Sequence, residues 1–457
     1  MTEPSAIPMS SSILLGTKTN STSGFGFSPE SPVETAGGPI VYDGDSHLMT
    51  IAPTGKGKGV SSIIPTLLEY PGSVIVFDPK GENLQITARR RREMGHQVVV
   101  LNPFNTLTEE TDSLNPLDLL NLEGADIESD SQMLAQMLSE ENKGVKDVFW
   151  DIHGSAVIAG MISHIATWGD QKDRSLNALH EAFHSDDVVY NFATLLDTCG
   201  KEMNQFAYRE IASFLQHPER ETRGSVLSTA TSYLKCLSGG SVPKVLKSSS
   251  FSLQEFVDGA PLSIYIIIPT GKLSSHRGLL RILVAVLLAA VMMREDKPDI
   301  PTLFLLDEAA QLGKFRLLEQ AITLCRGYGL KVWSFWQDLS QLKKNYPGSW
   351  ETIFNNCDIK QIFGLSSLFQ ASEWSGILNQ SKSGLLSMNN DEQVLVLPDG
   401  SEELCKKLSY LQEPYFAGHF DKNPRFEKKT RKRNAPDISQ YRSKNDDDSS
   451  GGMRKAR

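Results

Sequence analysis

The chain has 457 residues, 40% of them hydrophobic and 22% charged, the composition of an ordinary soluble globular protein long enough for two to three domains and a large core. The long apolar stretch over residues 283–293 falls short of the roughly 20 residues of a membrane helix, and no basic start leads into an apolar core, so neither a membrane span nor a secretory signal is expected. The net charge of −9 gives no global attraction for nucleic acid, and five cysteines, widely spaced and never paired as Cys-x-x-Cys, point to a reduced cytoplasmic protein without disulfides.

The first 40 residues are rich in Ser, Thr, Gly and Pro without helical periodicity, which predicts a flexible arm over 1–46. Residues 47–51 then read as a strand, residues 52–60 as a glycine-rich loop, and residues 60–70 begin as a helix. Such a strand-loop-helix turn aims backbone N–H groups and a helix N-terminus at an anion. Thr54, Gly55, Lys56, Gly57, Lys58, Gly59 and Val60 would line a phosphate cradle, with the Lys58 ammonium neutralising the β and γ phosphates. Ala52 stands where the usual pattern has its first glycine, and Gly59 where it has a magnesium-binding hydroxyl.

Strands are predicted next at 74–77, ending on Asp78 and a Pro-Lys-Gly turn, and at 97–101. The pattern then turns helical, with helices at 131–139, 148–168, 176–183, 188–197 and 204–214, so an all-α insertion over 111–234 is expected to divide an α/β domain formed by 47–110 and 235–420. Strand signals resume at 262–268, 302–306, 332–336, 359–363 and 393–397, and residues 283–293 read as a buried helix behind the sheet. Strands alternating with helices give a mainly parallel sheet wrapped on both faces. Residues 421–457, with the basic run at 428–433 and three aspartates at 446–448, read as a disordered charged tail that could meet DNA or anionic lipid.

Chemistry concentrates at strand ends. The apolar run 302–306 delivers Asp307 and Glu308 to the carboxyl end of a buried strand, where the aspartate would hold Mg²⁺ through its water shell and the glutamate would polarise an attacking water. Gln337 ends the following strand, placed to sense the γ-phosphate or to orient water beside Glu308. Asp78 lacks an adjacent glutamate and is assigned a supporting nucleotide contact. His180-Glu181-Ala182-Phe183-His184 spells a zinc-protease pattern, but no third ligand follows in context, so a chance pattern on an amphipathic helix is the expectation. The six tryptophans lie mostly in apolar periodic contexts and are expected in the core.

Taken in order, residues 52–60 with Ile64-Pro65-Thr66-Leu67-Leu68, the Asp78-Pro79-Lys80-Gly81-Glu82-Asn83 turn, Phe149-Trp150-Asp151, residues 305–309, Arg326-Gly327-Tyr328-Gly329-Leu330 and residues 337–342 resemble the type IV coupling proteins, the TraG-like ATPases of conjugative DNA transfer and type IV secretion. The resemblance implies a RecA-like P-loop ATPase with an inserted all-α domain, working on ATP and Mg²⁺ between subunits of a homo-hexamer. It further implies an arginine finger at Arg326, on the helix leading into the next strand, that completes the neighbour's site. Cargo would be DNA, a relaxase-type nucleoprotein or a protein effector, met by the helical insertion and driven toward a secretion channel. Family members usually carry membrane helices ahead of the motor; none is seen here, so a soluble form recruited peripherally to the cytoplasmic face of the inner membrane is expected. A nucleotide-dependent docking module without translocation is the alternative.

Overall fold

Runs of apolar residues with no polar alternation can only be satisfied by burial on both faces, and these runs build the centre of the sheet. In a computed structural model that describes residues 11–20, 35–108, 110–139, 148–218 and 221–423, the strands are β1 (Ile13–Asn20), β2 (Thr35–Tyr42), β3 (His47–Ile51), β4 (Val74–Phe77), β5 (Gln97–Leu101), β6 (Leu262–Ile266), β7 (Thr302–Asp307), β8 (Leu330–Trp336), β9 (Cys357–Ile362), β10 (Glu392–Val396) and β11 (Glu402–Lys406). Strands β3, β4, β6 and β8 are buried at every position. They form one 11-stranded sheet in the order β2-β1-β11-β10-β9-β3-β8-β7-β4-β6-β5. From β9 to β5 every pairing is parallel, whereas β10, β11, β1 and β2 continue the sheet antiparallel.

Successive strand residues feed two cores. Leu48, Val74, Val76, Leu303, Leu305 and Trp333 pack on the face that also takes Ile63 and Leu67 beside the phosphate loop. Met49, Ile51, Ile75, Phe77, Phe304 and Leu306 point to the other face, onto the long helix Arg277–Met292. That second core runs without a break into the helices α3 (Ile127–Leu138), α4 (Val148–Thr167), α5 (Leu176–Phe183), α6 (Val188–Cys199), α7 (Gln205–Gln216) and α8 (Thr222–Leu234). The helical segment is therefore present, and its apolar faces share a core with the sheet.

Other expectations are corrected. The arm expected over 1–46 contains β1 and β2, which pair with each other and, through β1, with β11. Of the tail expected over 421–457, Asp421 is tied to the body: its N–H donates to the Ile86 carbonyl, and Arg89 Nε donates to its carboxylate at 2.8 Å. The basic run at 428–433 lies outside the described residues. No helix of the described residues is long and apolar enough to cross a membrane.

A buried polar chain ties this antiparallel edge to the centre. Ser62 Oγ and Thr50 Oγ1 both donate to Gln361 Oε1, at 2.9 and 2.7 Å, and Gln361 Nε2 donates to Gln393 Oε1. Gln393 Nε2 reaches the Leu15 carbonyl of β1 at 2.8 Å. Gly16 must stay bare, because a Cβ there would stand 2.5 Å from the Lys406 carbonyl oxygen and 2.6 Å from Gln393 Nε2. Leaving a buried polar group unpaired costs about 1–3 kcal/mol. Gln361→Leu removes the acceptor of two buried hydroxyls and the donor to the Gln393 amide oxygen, so it should lower the stability read from urea unfolding by about 2 kcal/mol; an unchanged midpoint would show that the chain is not needed.

Candidate nucleotide site

The loop after β3 begins in register with the sheet, since the Ala52 N–H donates to the Trp336 carbonyl at 3.0 Å. It then turns through Gly55 at φ +78 and Gly57 at φ +98, left-handed conformations that L side chains resist. The Lys58 side chain folds back across the loop and donates from Nζ to the Ala52 carbonyl at 2.8 Å, leaving the residue 8% exposed. Burial lowers the Lys58 pKa, while the Glu308 and Asp307 charges pull it back up. Gly59 opens a π-helical turn, Gly59–Ile63, that leads into the helix α1 (Ile64–Glu69), a widened turn of the kind often found at functional sites. Gly59 itself has no hydroxyl to offer a metal; the Ser61 hydroxyl is committed to the Gly57 carbonyl and the Ser62 hydroxyl to Gln361.

The carboxylates come from adjacent strands. Phe77 of β4 pairs with Leu306 of β7, so Asp78 and Asp307 leave the sheet side by side. Burial pushes the Asp307 carboxyl up to about 6, opposed by the Lys58 ammonium and reinforced by Glu308. Asp78 is 1% exposed, and burial pushes it up to about 7 against the pull of the Leu84 N–H at 2.9 Å, with the Asp307 charge adding to the rise. Glu308 sits at φ +83, a left-handed conformation that costs a residue with a Cβ on the order of 1–3 kcal/mol. The strain is held by Gln337: its Nε2 donates to both Glu308 carboxylate oxygens, at 2.8 and 2.9 Å, from the end of the neighbouring strand β8. Lys58, Asp78, Asp307, Glu308 and Gln337 are thus gathered at the carboxyl ends of β3, β4, β7 and β8.

Arg326 is not among them. It lies in a 3-10 turn, Arg326–Tyr328, not on the helix expected, and that turn enters β8 at its amino end. The length of β8 separates the turn from this chain's own phosphate loop by roughly 20 Å. There it is exposed, and its charge acts on Tyr42, Asp45 and His47. His180 and His184 stack with ring centroids 3.9 Å apart, and His184 Nδ1 lies 2.8 Å from the His180 carbonyl oxygen. No group of three or more His, Cys, Asp or Glu side chains arranged to hold a metal directly occurs among the described residues, so the zinc pattern gains no third ligand. Trp333, Trp336 and Trp374 are fully buried, as core residues. One loop contact had no sequence signal: Lys407, just past β11, donates from Nζ to the Lys56 carbonyl at 2.9 Å.

The profile of the family described as Type IV secretory system Conjugative DNA transfer matches residues 11–367. The chain is 28% identical to a conjugal transfer protein TraG of Escherichia coli over 364 residues, which cover 74% of this chain and 56% of that protein. It is 24% identical to the type IV secretion system-coupling protein VirD4 of Bartonella quintana over 348 residues, 73% of this chain and 52% of that protein. The chain spans about half the length of the curated relatives it matches. In fold it is similar to the plasmid coupling protein TrwB in complex with ADP and Mg²⁺, with a TM-score of 0.61 at 16% identity over 81% of this chain and 88% of that one. The fold is accordingly RecA-like, a mainly parallel sheet flanked by helices.

The raised carboxyl pKa values carry a stability prediction with a definite sign. A carboxyl that titrates near 7 when folded and near about 4 when unfolded binds more protons in the folded state between those values, so its contribution falls as pH rises through that window. Asp78→Asn keeps an acceptor for the Leu84 N–H and removes the titration. It should melt above the wild type at pH 8, with the margin shrinking toward pH 4; a pH-independent margin in calorimetric melts would contradict the assignment.

Proposed function

Because the chain belongs to the type IV secretory system conjugative DNA transfer family, we propose that it is an ATP-hydrolysing coupling component that recruits DNA, a relaxase-type nucleoprotein or a protein effector and drives it toward a type IV secretion channel. The observation that carries the reading is the Gln337 amide clasping both oxygens of a strained Glu308 beside the Lys58 loop. A plain polar turn has no use for a strained carboxylate held in one orientation, whereas a group that must aim a water does.

Lys58 now spends its ammonium on a backbone carbonyl, a partner it can exchange for the β and γ phosphate oxygens of ATP, and N–H groups of the loop over residues 54–60 would line the cradle. Asp307 would hold Mg²⁺ through coordinated water, in keeping with a loop that has no hydroxyl at Gly59. The metal supplies neutralising charge at the phosphate oxygens. Glu308 would polarise the attacking water, Gln337 would keep it aimed and register the γ-phosphate, and Asp78 would support the site from the next strand. Arg326 stands at the opposite end of the sheet, so it could stabilise transition-state charge only in a neighbouring copy, which favours a ring, as a homo-hexamer would supply. Such a motor would act in the cytoplasm, meeting the inner membrane peripherally, and the helical segment α3–α8 would meet the cargo.

Lys58→Ala should abolish ATP turnover, since the cradle loses its buried ammonium, and wild-type rates in that variant would sink the assignment. Glu308→Gln should bind ATP normally yet hydrolyse it about 10²-fold more slowly or worse; equal loss of binding in both variants would make Glu308 structural. DNA should stimulate the wild-type rate, whereas a docking module without translocation would bind nucleotide with no stimulation. Arg326→Ala alone should bind ATP but turn it over poorly, and mixing it with Lys58→Ala protein should restore part of the activity. In mixed assemblies some interfaces pair an intact loop with an intact arginine; no rescue despite demonstrated subunit exchange would argue for a site complete within one chain.

A further inference from the structure

Lys407 approaches the phosphate loop from a remote part of the chain, and its contacts are specific. Its Nζ donates to the Lys56 carbonyl at 2.9 Å and lies 4.4 Å from the centroid of the buried Phe363 ring. Its own N–H donates to the Asp391 carbonyl at 2.7 Å, fixing the base of the side chain to the start of β10. The Lys56 side chain meanwhile packs on Gly364, where φ is +75 and a Cβ would come within 2.6 Å of Lys56 Cγ. The Lys56–Gly57 peptide is therefore seated from outside by three residues that belong to no phosphate-loop pattern.

In a trans peptide the C=O and the following N–H point in opposite directions. A carbonyl of Lys56 held toward Lys407 turns the Gly57 N–H to the other side, into the loop. Gly57 sits at φ +98, and glycine crosses between positive and negative φ with little steric penalty, so this peptide is free to turn over if its carbonyl is released. A flipped peptide would present a carbonyl oxygen to phosphate where a donor is needed.

We propose that Lys407 is a positioning residue of the phosphate loop: it pins the Lys56 carbonyl outward so that the Gly57 N–H is available to a phosphate. The inference rests on the reading of residues 52–60 as a nucleotide cradle. Lys407 serves through a charge-assisted hydrogen bond and need not touch the ligand, and the Phe363 ring holds the ammonium over the carbonyl by cation–π attraction.

The test compares Lys407→Met, which keeps the aliphatic stem on Phe363, with Lys407→Arg, which keeps a cationic donor. Mg-ATP affinity would be read by displacement of a fluorescent ATP analogue, alongside KM, kcat and the melting temperature of the nucleotide-free protein. The expected result is about a tenfold rise in Kd and KM for Lys407→Met, a smaller change in kcat, near-wild-type melting, and recovery of most of the affinity in Lys407→Arg. Wild-type affinity in Lys407→Met overturns the proposal, as does an equal loss in both variants accompanied by a lowered melting temperature, which would mark a general packing role. Wild-type protein that binds no nucleotide would sink the cradle reading and this inference together, whereas a binding wild type with an indifferent Lys407→Met sinks the inference alone.

Discussion

Burial of the central strands on both faces is the constraint from which the site follows. Strands β3, β8, β7 and β4 can be covered above and below only if helical connections cross over the sheet, and such connections return each strand in the same direction. All of their carboxyl ends then open on one edge. The phosphate loop after β3, Gln337 after β8, Asp307 and Glu308 after β7 and Asp78 after β4 meet there because the topology leaves them no other edge. The same constraint sends Arg326 to the opposite edge, since it precedes β8.

At that edge the molecule holds charges that do not favour its own folding. Two carboxyls are pushed well above the usual range by burial, the lysine among them is pulled down by the same cause, and Glu308 is kept in a left-handed conformation by a neighbour's amide. Each of these is a local loss of stability recovered by the large apolar cores on the two faces of the sheet. A polyanion carrying its own cation would relieve most of them at once, which is why the site reads as built for a ligand and not as a by-product of the turn. The outer seat of the loop, made by Phe363, Gly364 and Lys407, extends the same preorganisation beyond the residues that would touch nucleotide.

Much of this was legible in the sequence because the decisive signals are local. Residues 47–51 and 74–77 match their strands end for end, and the apolar run before Asp307 announces both a buried strand and the edge at which its carboxylates emerge. What was not legible depends on partners far along the chain. Residues 13–18 hold Ile13 and Leu15 as their clear apolar inward positions, and the segment becomes a strand because β2 pairs with it and β11, nearly 400 residues later, offers it an edge. The change in periodicity marks the helical segment but not the core that segment shares with the sheet, since periodicity tells which face is apolar and not what covers it. Lys407 gave no signal because a lysine after a short polar strand looks like any solvated cation until the loop it meets is in place. His180 and His184 illustrate the reverse case, a complete local pattern whose rings stack on each other, with no metal-holding group of three such side chains among the described residues.

If the carboxylate edge and the phosphate loop form one ATP-hydrolysing site that is finished only by a neighbouring copy, turnover must depend on assembly. Specific ATPase activity followed across protein concentration, with and without DNA, tests it most directly. Activity per chain should rise steeply with concentration, saturate as assembly completes, and do so at lower concentration when DNA is present. Activity per chain that stays constant from the most dilute to the most concentrated protein would contradict it.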